Sequence, residues 1–167
     1  IRGLGVYKST DAGLTWTLLA STTTGGANAN DFSYVQKILV YNNAAHDVYV
    51  ACRSAVFCNA GGLLRSSNGG TSWTTVLGTY TGCGNCSCAT DYKIFDIERS
   101  FSGDLWVSSV TESTGLGKIW KSNAGATVGN AGTWVDKTPT GTWQRIELAC
   151  SPSNNNRVYA LLQGATS

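Results

Sequence analysis

The stretch Ser9-Thr10-Asp11-Ala12-Gly13-Leu14-Thr15-Trp16 returns further along the chain as Ser66-Ser67-Asn68-Gly69-Gly70-Thr71-Ser72-Trp73, and this recurrence decides the fold class. Each copy opens on serine, sets a short carboxylate or amide two places on and a glycine two places after that, and closes on a hydroxyl residue and tryptophan. The opening serines lie 57 residues apart, and a third serine, Ser122, follows 56 residues later. Ahead of each stands an apolar or aromatic pair and then a base: Val6-Tyr7-Lys8, Leu63-Leu64-Arg65 and Ile119-Trp120-Lys121. The third copy is degraded, since Ser122 and Trp134 are 12 residues apart where the others span 7. A period of this length is the mark of a repeat architecture.

Three further rows keep step with the first. Asp47-Val48-Tyr49-Val50, Asp104-Leu105-Trp106-Val107 and Arg157-Val158-Tyr159-Ala160 share an aromatic third position. Before them come Lys37-Ile38-Leu39-Val40, Lys93-Ile94-Phe95-Asp96 and Arg145-Ile146-Glu147-Leu148. After the serines come Thr15-Trp16-Thr17-Leu18, Ser72-Trp73-Thr74-Thr75 and Thr133-Trp134-Val135-Asp136. Each is a short β-branched and aromatic run bounded by Gly, Asn, Ser or Pro, the signature of a strand, and nowhere does a helical period persist. The unit therefore holds four strands, A to D, joined by tight turns into an antiparallel meander. The chain is expected to be all-β, about three propeller blades' worth, part of a larger or oligomeric ring. The divisions are strands C and D over 1–20, full blades over 34–78 and 91–138, and strands A and B over 143–163.

The recurring turn resembles the Asp-box (BNR) repeat, Ser-x-Asp-x-Gly-x-Thr-Trp, of sialidases, sortilin-type receptors, xyloglucan-active hydrolases and many exported bacterial propellers. The first copy matches at every defined position; the second has Asn68 for Asp and Ser72 for Thr. The box residues Ser9, Asp11, Gly13, Trp16, Ser66, Asn68, Gly70 and Trp73 are read as structural. The carboxylate or amide pins the hairpin through backbone N–H groups, the glycine supplies the backbone angle, and the tryptophan buries its ring between turn and strand. The resemblance implies that A strands line a central channel, that D–A and B–C connections share one face, and that the boxes lie on the other.

Composition agrees with many short strands. Charged residues are 13% of the 167, against about 25% in a typical soluble domain, and glycines number 20. A formal charge of +2 gives no footprint for nucleic acid, and no apolar run is long enough for a membrane span. The chain has no methionine and reads as an internal stretch of a longer polypeptide. Three blades' worth of strands cannot close a ring. Completion is expected from further blades of the parent protein or another chain, or from head-to-tail pairing of two copies. Six cysteines suit an exported protein, extracellular or at the cell surface, carrying disulfides. The simplest pairings are Cys52 with Cys58 and Cys83 with Cys88, with Cys86 as the alternative to Cys88; cross-loop pairing and a zinc ion on the Cys83, Cys86, Cys88 run remain open. No metal or other cofactor is expected, and Cys150 reads as a buried free thiol.

Candidate binding residues gather at the start of the A strands. Lys37, Lys93 and Arg145 share one register in the aligned rows, with Asp31 and Asp91 just ahead and Tyr34, Tyr80, Tyr92 and Trp143 near the same rim. One reading is a positive ring for an acidic glycan; the other is strand-end cations paired with carboxylates. The three-arginine grip of the sialidases it resembles is absent, since lysines stand at two of the three places. A xyloglucan-type hydrolase needs a pair of carboxylates across a cleft, and Asp31 and Asp91, on adjacent blades, could be such a pair, though nothing in the sequence singles them out. The expected function is a non-catalytic glycan- or protein-binding surface or scaffold. The alternatives are part of a glycoside hydrolase, or a structural component or cargo of a surface or secretion complex.

Overall fold

The computed structural model describes residues 3–23, 31–53, 61–78, 92–111 and 113–164. Twelve strands follow in chain order. They are β1 (Tyr7–Lys8), β2 (Thr17–Leu18), β3 (Val35–Val40), β4 (Val48–Cys52), β5 (Gly62–Ser66), β6 (Thr74–Leu77), β7 (Tyr92–Arg99), β8 (Leu105–Thr111), β9 (Gly117–Ser122), β10 (Val135–Asp136), β11 (Trp143–Cys150) and β12 (Val158–Gly164). Among the described residues two short 3-10 turns, Ala20–Thr22 and Asp31–Tyr34, interrupt the β structure. The sheets are the hairpin β1–β2, the meanders β3–β4–β5–β6 and β7–β8–β9–β10, and the hairpin β11–β12, antiparallel throughout. Two complete four-stranded blades flanked by two half-blades make a β-propeller arc.

Each pair of consecutive sheets shares one apolar core. Between hairpin β1–β2 and sheet β3–β6 lie Val6, Phe32, Val50, Leu64 and Trp73, with Phe32 edge-on to Trp73 at 5.0 Å between ring centroids. Between sheets β3–β6 and β7–β10 lie Tyr49, Ala51, Leu63, Ile94, Ile97, Leu105 and Val107. Between β7–β10 and β11–β12 lie Ile119, Ile146 and Leu148, with Trp106 and Trp143 against them. Val50 and Leu64 point one way while Tyr49, Ala51 and Leu63 point the other, the period of two that a sheet covered on both faces requires. Each fully buried aliphatic side chain stabilises by roughly 1.5–3 kcal/mol, so these inter-sheet layers, and not the short ladders, hold the arc together.

The degraded third turn is put to use. Its inserted residues carry Val128, which is buried, and its carbonyl accepts the Tyr49 hydroxyl of the preceding sheet at 3.2 Å. Asn130 accepts a hydrogen bond from Arg65 of the same preceding sheet. The turn has lost its acidic residue, yet Ser122 Oγ still accepts the Gly129 N–H at 2.8 Å.

Candidate functional site

The first turn is a closed local network. Ser9 Oγ donates to Asp11 Oδ1 at 2.8 Å and accepts the Gly13 N–H at 2.8 Å, while Asp11 Oδ1 also accepts the Thr15 N–H at 2.9 Å. The second turn repeats it: Ser66 Oγ donates to Asn68 Oδ1 at 2.9 Å and accepts the Gly70 N–H at 2.8 Å, and Asn68 Oδ1 accepts the Ser72 N–H at 2.9 Å. Asn68 Nδ2 donates to Ser72 Oγ, where in the first copy Thr15 donates to Asp11, so the amide replaces the carboxylate by reversing one bond. Hydrogen bonds from the Thr15 side chain, the Thr15 backbone and Ser9 hold the Asp11 carboxyl down at about 2. The tryptophans depart from expectation. Trp73 is 8% exposed, but Trp16 is 62% exposed and only its Nε1 is anchored, to the Gly13 carbonyl at 3.1 Å. The turn does not bury its own ring; the neighbouring sheet does, and Trp73 donates to Ser21 Oγ of that neighbour at 3.1 Å.

The row Lys37, Lys93 and Arg145 is not one register. Lys37 stands opposite Ala51 and Asp96 opposite Ser108, both three residues beyond the partner of the turn serine in their sheets, Val48 and Leu105. Counted from the shared aromatic Tyr159, Glu147 takes the same place opposite Leu161. The ladder row is therefore Lys37, Asp96, Glu147, one cation followed by two carboxylates. The A–B turn is shorter by two residues in the second sheet, 100–104 against 41–47, which displaces the A strand along its ladder, and an irregularity between Ile94 and Asp96 puts Lys93 one residue further out. A bulge adds a residue without a partner and shifts all that precedes it.

The consequence is an ion-pair hub across three A strands. Lys37 Nζ lies 2.8 Å from Asp96 Oδ1 and also donates to Glu98. Asp96, buried, takes its own Ile97 N–H on Oδ1 at 2.9 Å and the Leu148 N–H of β11 on Oδ2 at 2.8 Å. Burial pulls the Lys37 ammonium down, but the hydrogen bonds and charges of Asp96 and Glu98 win and hold it above its usual value. Arg145 pairs with Glu147 on its own strand, Nε to Oε1 at 2.7 Å, and lies over the Phe95 ring at 5.5 Å. Lys93 stands half-buried in β7 opposite Val110. The expected positive ring is thus resolved into a pair between strands at Lys37 and a pair within β11 at Arg145.

Tyr92 packs against Trp120 at 5.2 Å, and burial pushes its hydroxyl up. Trp143 packs on the Ile119–Ile146–Leu148 core and donates to the Pro139 carbonyl at 3.1 Å. Both serve inter-sheet packing. Asp31 opens the 3-10 turn Asp31–Tyr34, but its carboxylate lies outside the described residues, as do Tyr80 and Asp91. Cys58, Cys83, Cys86 and Cys88 fall outside them too, and with them both proposed disulfides; Cys52 is buried at the end of β4. Cys150 is a free thiol but half-buried rather than buried, and desolvation, with the charges of Glu98, Asp96 and Asp104, pushes it up to about 11. Among the described residues no group of His, Cys, Asp and Glu is placed to hold a metal ion, and no helix is long and apolar enough to cross a membrane.

What the strand rows concealed is a pairing between them. Tyr49 stands opposite Arg65 and Trp106 opposite Lys121, with each cation over its ring at 5.9 and 5.5 Å. Asp47 and Asp104 complete each trio, 2.6 Å from Arg65 and 2.9 Å from Lys121. The signal was present as an aromatic row and a basic row in separate strands.

No protein-family model matches the chain, and no curated protein sequence matches it. Among solved structures, the chain is similar to the crystal structure of the GH74 enzyme of Niastella koreensis, with a TM-score of 0.61 and 24% sequence identity. The match covers 92% of this chain and 21% of that one. At this identity the likeness establishes the fold.

Proposed function

We propose that the chain is a non-catalytic portion of an exported, cell-surface or secreted β-propeller, a binding or scaffold surface that presents glycan or protein ligands to the D–A and B–C connections. The observation that carries this reading is the neutralisation of the A-strand cations. A grip for an anionic substrate needs free, convergent cations, whereas Lys37 serves Asp96 and Glu98, and Arg145 serves Glu147. Recognition then falls to the loops, and most of that face, 24–30, 54–60 and 79–91, lies outside the described residues. Arg145, its side chain 58% exposed, is the cation of the row best able to turn towards a ligand at the rim. A glycan array run beside hydrolysis assays on sialosides and xyloglucan tests the reading. Binding without turnover is expected, weakened by Arg145→Ala.

The likeness to a GH74 enzyme favours a second reading, part of a glycoside hydrolase. It requires Asp31 and Asp91, on the segments entering successive A strands, to face each other across a cleft. Turnover of xyloglucan that disappears in Asp31→Asn or Asp91→Asn establishes this reading and removes the first.

A further inference from the structure

Asn68-Gly69 is the one asparagine–glycine pair in the sequence, and it occupies the second turn where the first has Asp11-Ala12. An asparagine followed by glycine is chemically exposed to loss of its side-chain amide. The glycine nitrogen can close on the asparagine carbonyl carbon because no Cβ of the following residue stands in the way. Asn68 is exposed, and among the described residues the Gly69 N–H donates to nothing. The nucleophile is free.

The turn holds the electrophile. Asn68 Oδ1 accepts the Ser66 hydroxyl at 2.9 Å and the Ser72 N–H at 2.9 Å, and Nδ2 donates to Ser72 Oγ at 2.8 Å. The side-chain amide is thus tied to residues on either side of Gly69. Its carbonyl carbon cannot swing onto the Gly69 nitrogen until the two Ser72 bonds part. Each bond of this kind shifts the opening equilibrium by a factor of about two to ten.

The first turn shows what the product would meet. Asp11, in the same place, accepts the Ser9 hydroxyl and the Thr15 N–H. An aspartate at position 68 finds the same two donors, and only the Ser72 hydroxyl must turn round, to donate as Thr15 does to Asp11. An isoaspartate lengthens the backbone by one carbon just ahead of Gly70. That residue is fixed at φ +92°, its N–H on Ser66 Oγ and its Cα close against the Leu19 side chain. The longer backbone does not fit there.

We propose that Asn68-Gly69 is a spontaneous deamidation site gated by the opening of its own turn, whose aspartyl product completes the Asp-box and whose isoaspartyl product breaks it. The Gly69 nitrogen gives its proton to solvent base and bonds to Asn68 Cγ; the Cγ–Nδ2 bond breaks, and Nδ2 leaves as ammonia. Water then opens the succinimide. Breaking the new Cγ–N bond gives aspartate, and breaking the original peptide bond gives isoaspartate. One water is consumed and one ammonia released. The reaction concerns the turn alone and holds whatever the loop-bearing face binds.

The test incubates the full chain, its folding shown by a cooperative denaturant transition, beside the same chain in denaturant. Position 68 is followed by peptide mapping that separates aspartate from isoaspartate. Conversion is expected in both, at least about tenfold slower in the folded chain, and faster as pH rises because the attacking nitrogen must lose its proton. Ser72→Ala keeps the Ser66 bonds and should speed the folded chain about two- to tenfold while leaving the rate in denaturant unchanged. The aged aspartyl fraction should match Asn68→Asp in its denaturant midpoint and in a Ser72 amide that exchanges faster in acid, as that of Thr15 does; the isoaspartyl fraction should have a lower midpoint. Equal rates in the folded and denatured chains, or no acceleration by Ser72→Ala, overturns the gating. An intact Asn68 in folded Ser72→Ala after the denatured chain has converted overturns the site, and an aspartyl fraction no more stable than the isoaspartyl one overturns the repair of the box.

Discussion

The turns Ser9–Trp16 and Ser66–Trp73 have the same internal hydrogen bonds and opposite surroundings. Both serines accept a glycine N–H at 2.8 Å, and both Oδ1 atoms accept the N–H of the penultimate residue at 2.9 Å. Yet Trp73 is sealed by the hairpin before it while Trp16 lies 62% exposed. The Asp-box is thus two devices of different range. Its serine, acid or amide and glycine shape a turn locally, and its tryptophan welds that turn to whatever sheet stands ahead of it.

Mutation should pull the two devices apart. Trp73→Ala should cost about 3–5 kcal/mol, read from denaturant midpoints, because it empties a layer shared with Phe32, Val50 and Leu64. Gly70→Ala should follow at about 2 kcal/mol or more. Its φ of +92° disfavours any side chain, and the added methyl meets the Leu19 side chain of the neighbouring hairpin. Gly13→Ala, at φ +89° with only Trp16 Cζ2 nearby at 3.7 Å, should cost about 1 kcal/mol; parity between these two glycines would refute the view that the neighbouring sheet separates the turns. Ser66→Ala strands a buried Gly70 N–H and should cost about 1–3 kcal/mol, whereas water can replace Ser9 Oγ in Ser9→Ala.

Acid should distinguish the turns without any mutation. Asp11 is held at about 2 against 3.8, a depressed value, so its contribution is present above about pH 4 and lost as pH falls towards 2; Asn68 has no such proton to gain. Amide exchange at Thr15 should accelerate over that window while Ser72 stays constant. Equal acceleration at both would show that Asp11 does not govern its turn. The smallest change belongs to Trp16→Ala, about 0.5 kcal/mol or less.

Much of the fold was legible because outer strands and turns are local and recur at nearly fixed intervals. Four strands per unit, their order and their turn residues follow from Ser9, Ser66 and Ser122 and the aromatic runs around them. What escaped was set by contacts between units. Aligning Ile38 with Ile94 and Ile146 put Lys93 in the place of Asp96, since the turn 100–104, two residues shorter than 41–47, and the unpaired residue in β7 are both invisible to a pattern of alternating apolar positions. The burial difference between Trp16 and Trp73 depends on Leu19 and Ser21 of another sheet, and the inserted turn around Val128 looked like decay until it met Tyr49 and Arg65. For the candidate site the residue types were readable, but their charge partners, Asp96 and Glu98 above all, were not.

The irregularities in the A strands bear on how such repeats can be averaged or exchanged. A consensus unit drawn up at fixed 57-residue steps would align Asp96 with Leu39 and Lys37 with Ile94, and so dissolve the brace in which Asp96 receives Lys37 and the Leu148 N–H. Splicing instead within the turns 41–47 and 100–104 keeps each innermost strand with the outer strands of the unit before it, and leaves every bulge to travel intact. Two chimaeras of the same composition, cut at these different seams, should then differ in whether they fold at all.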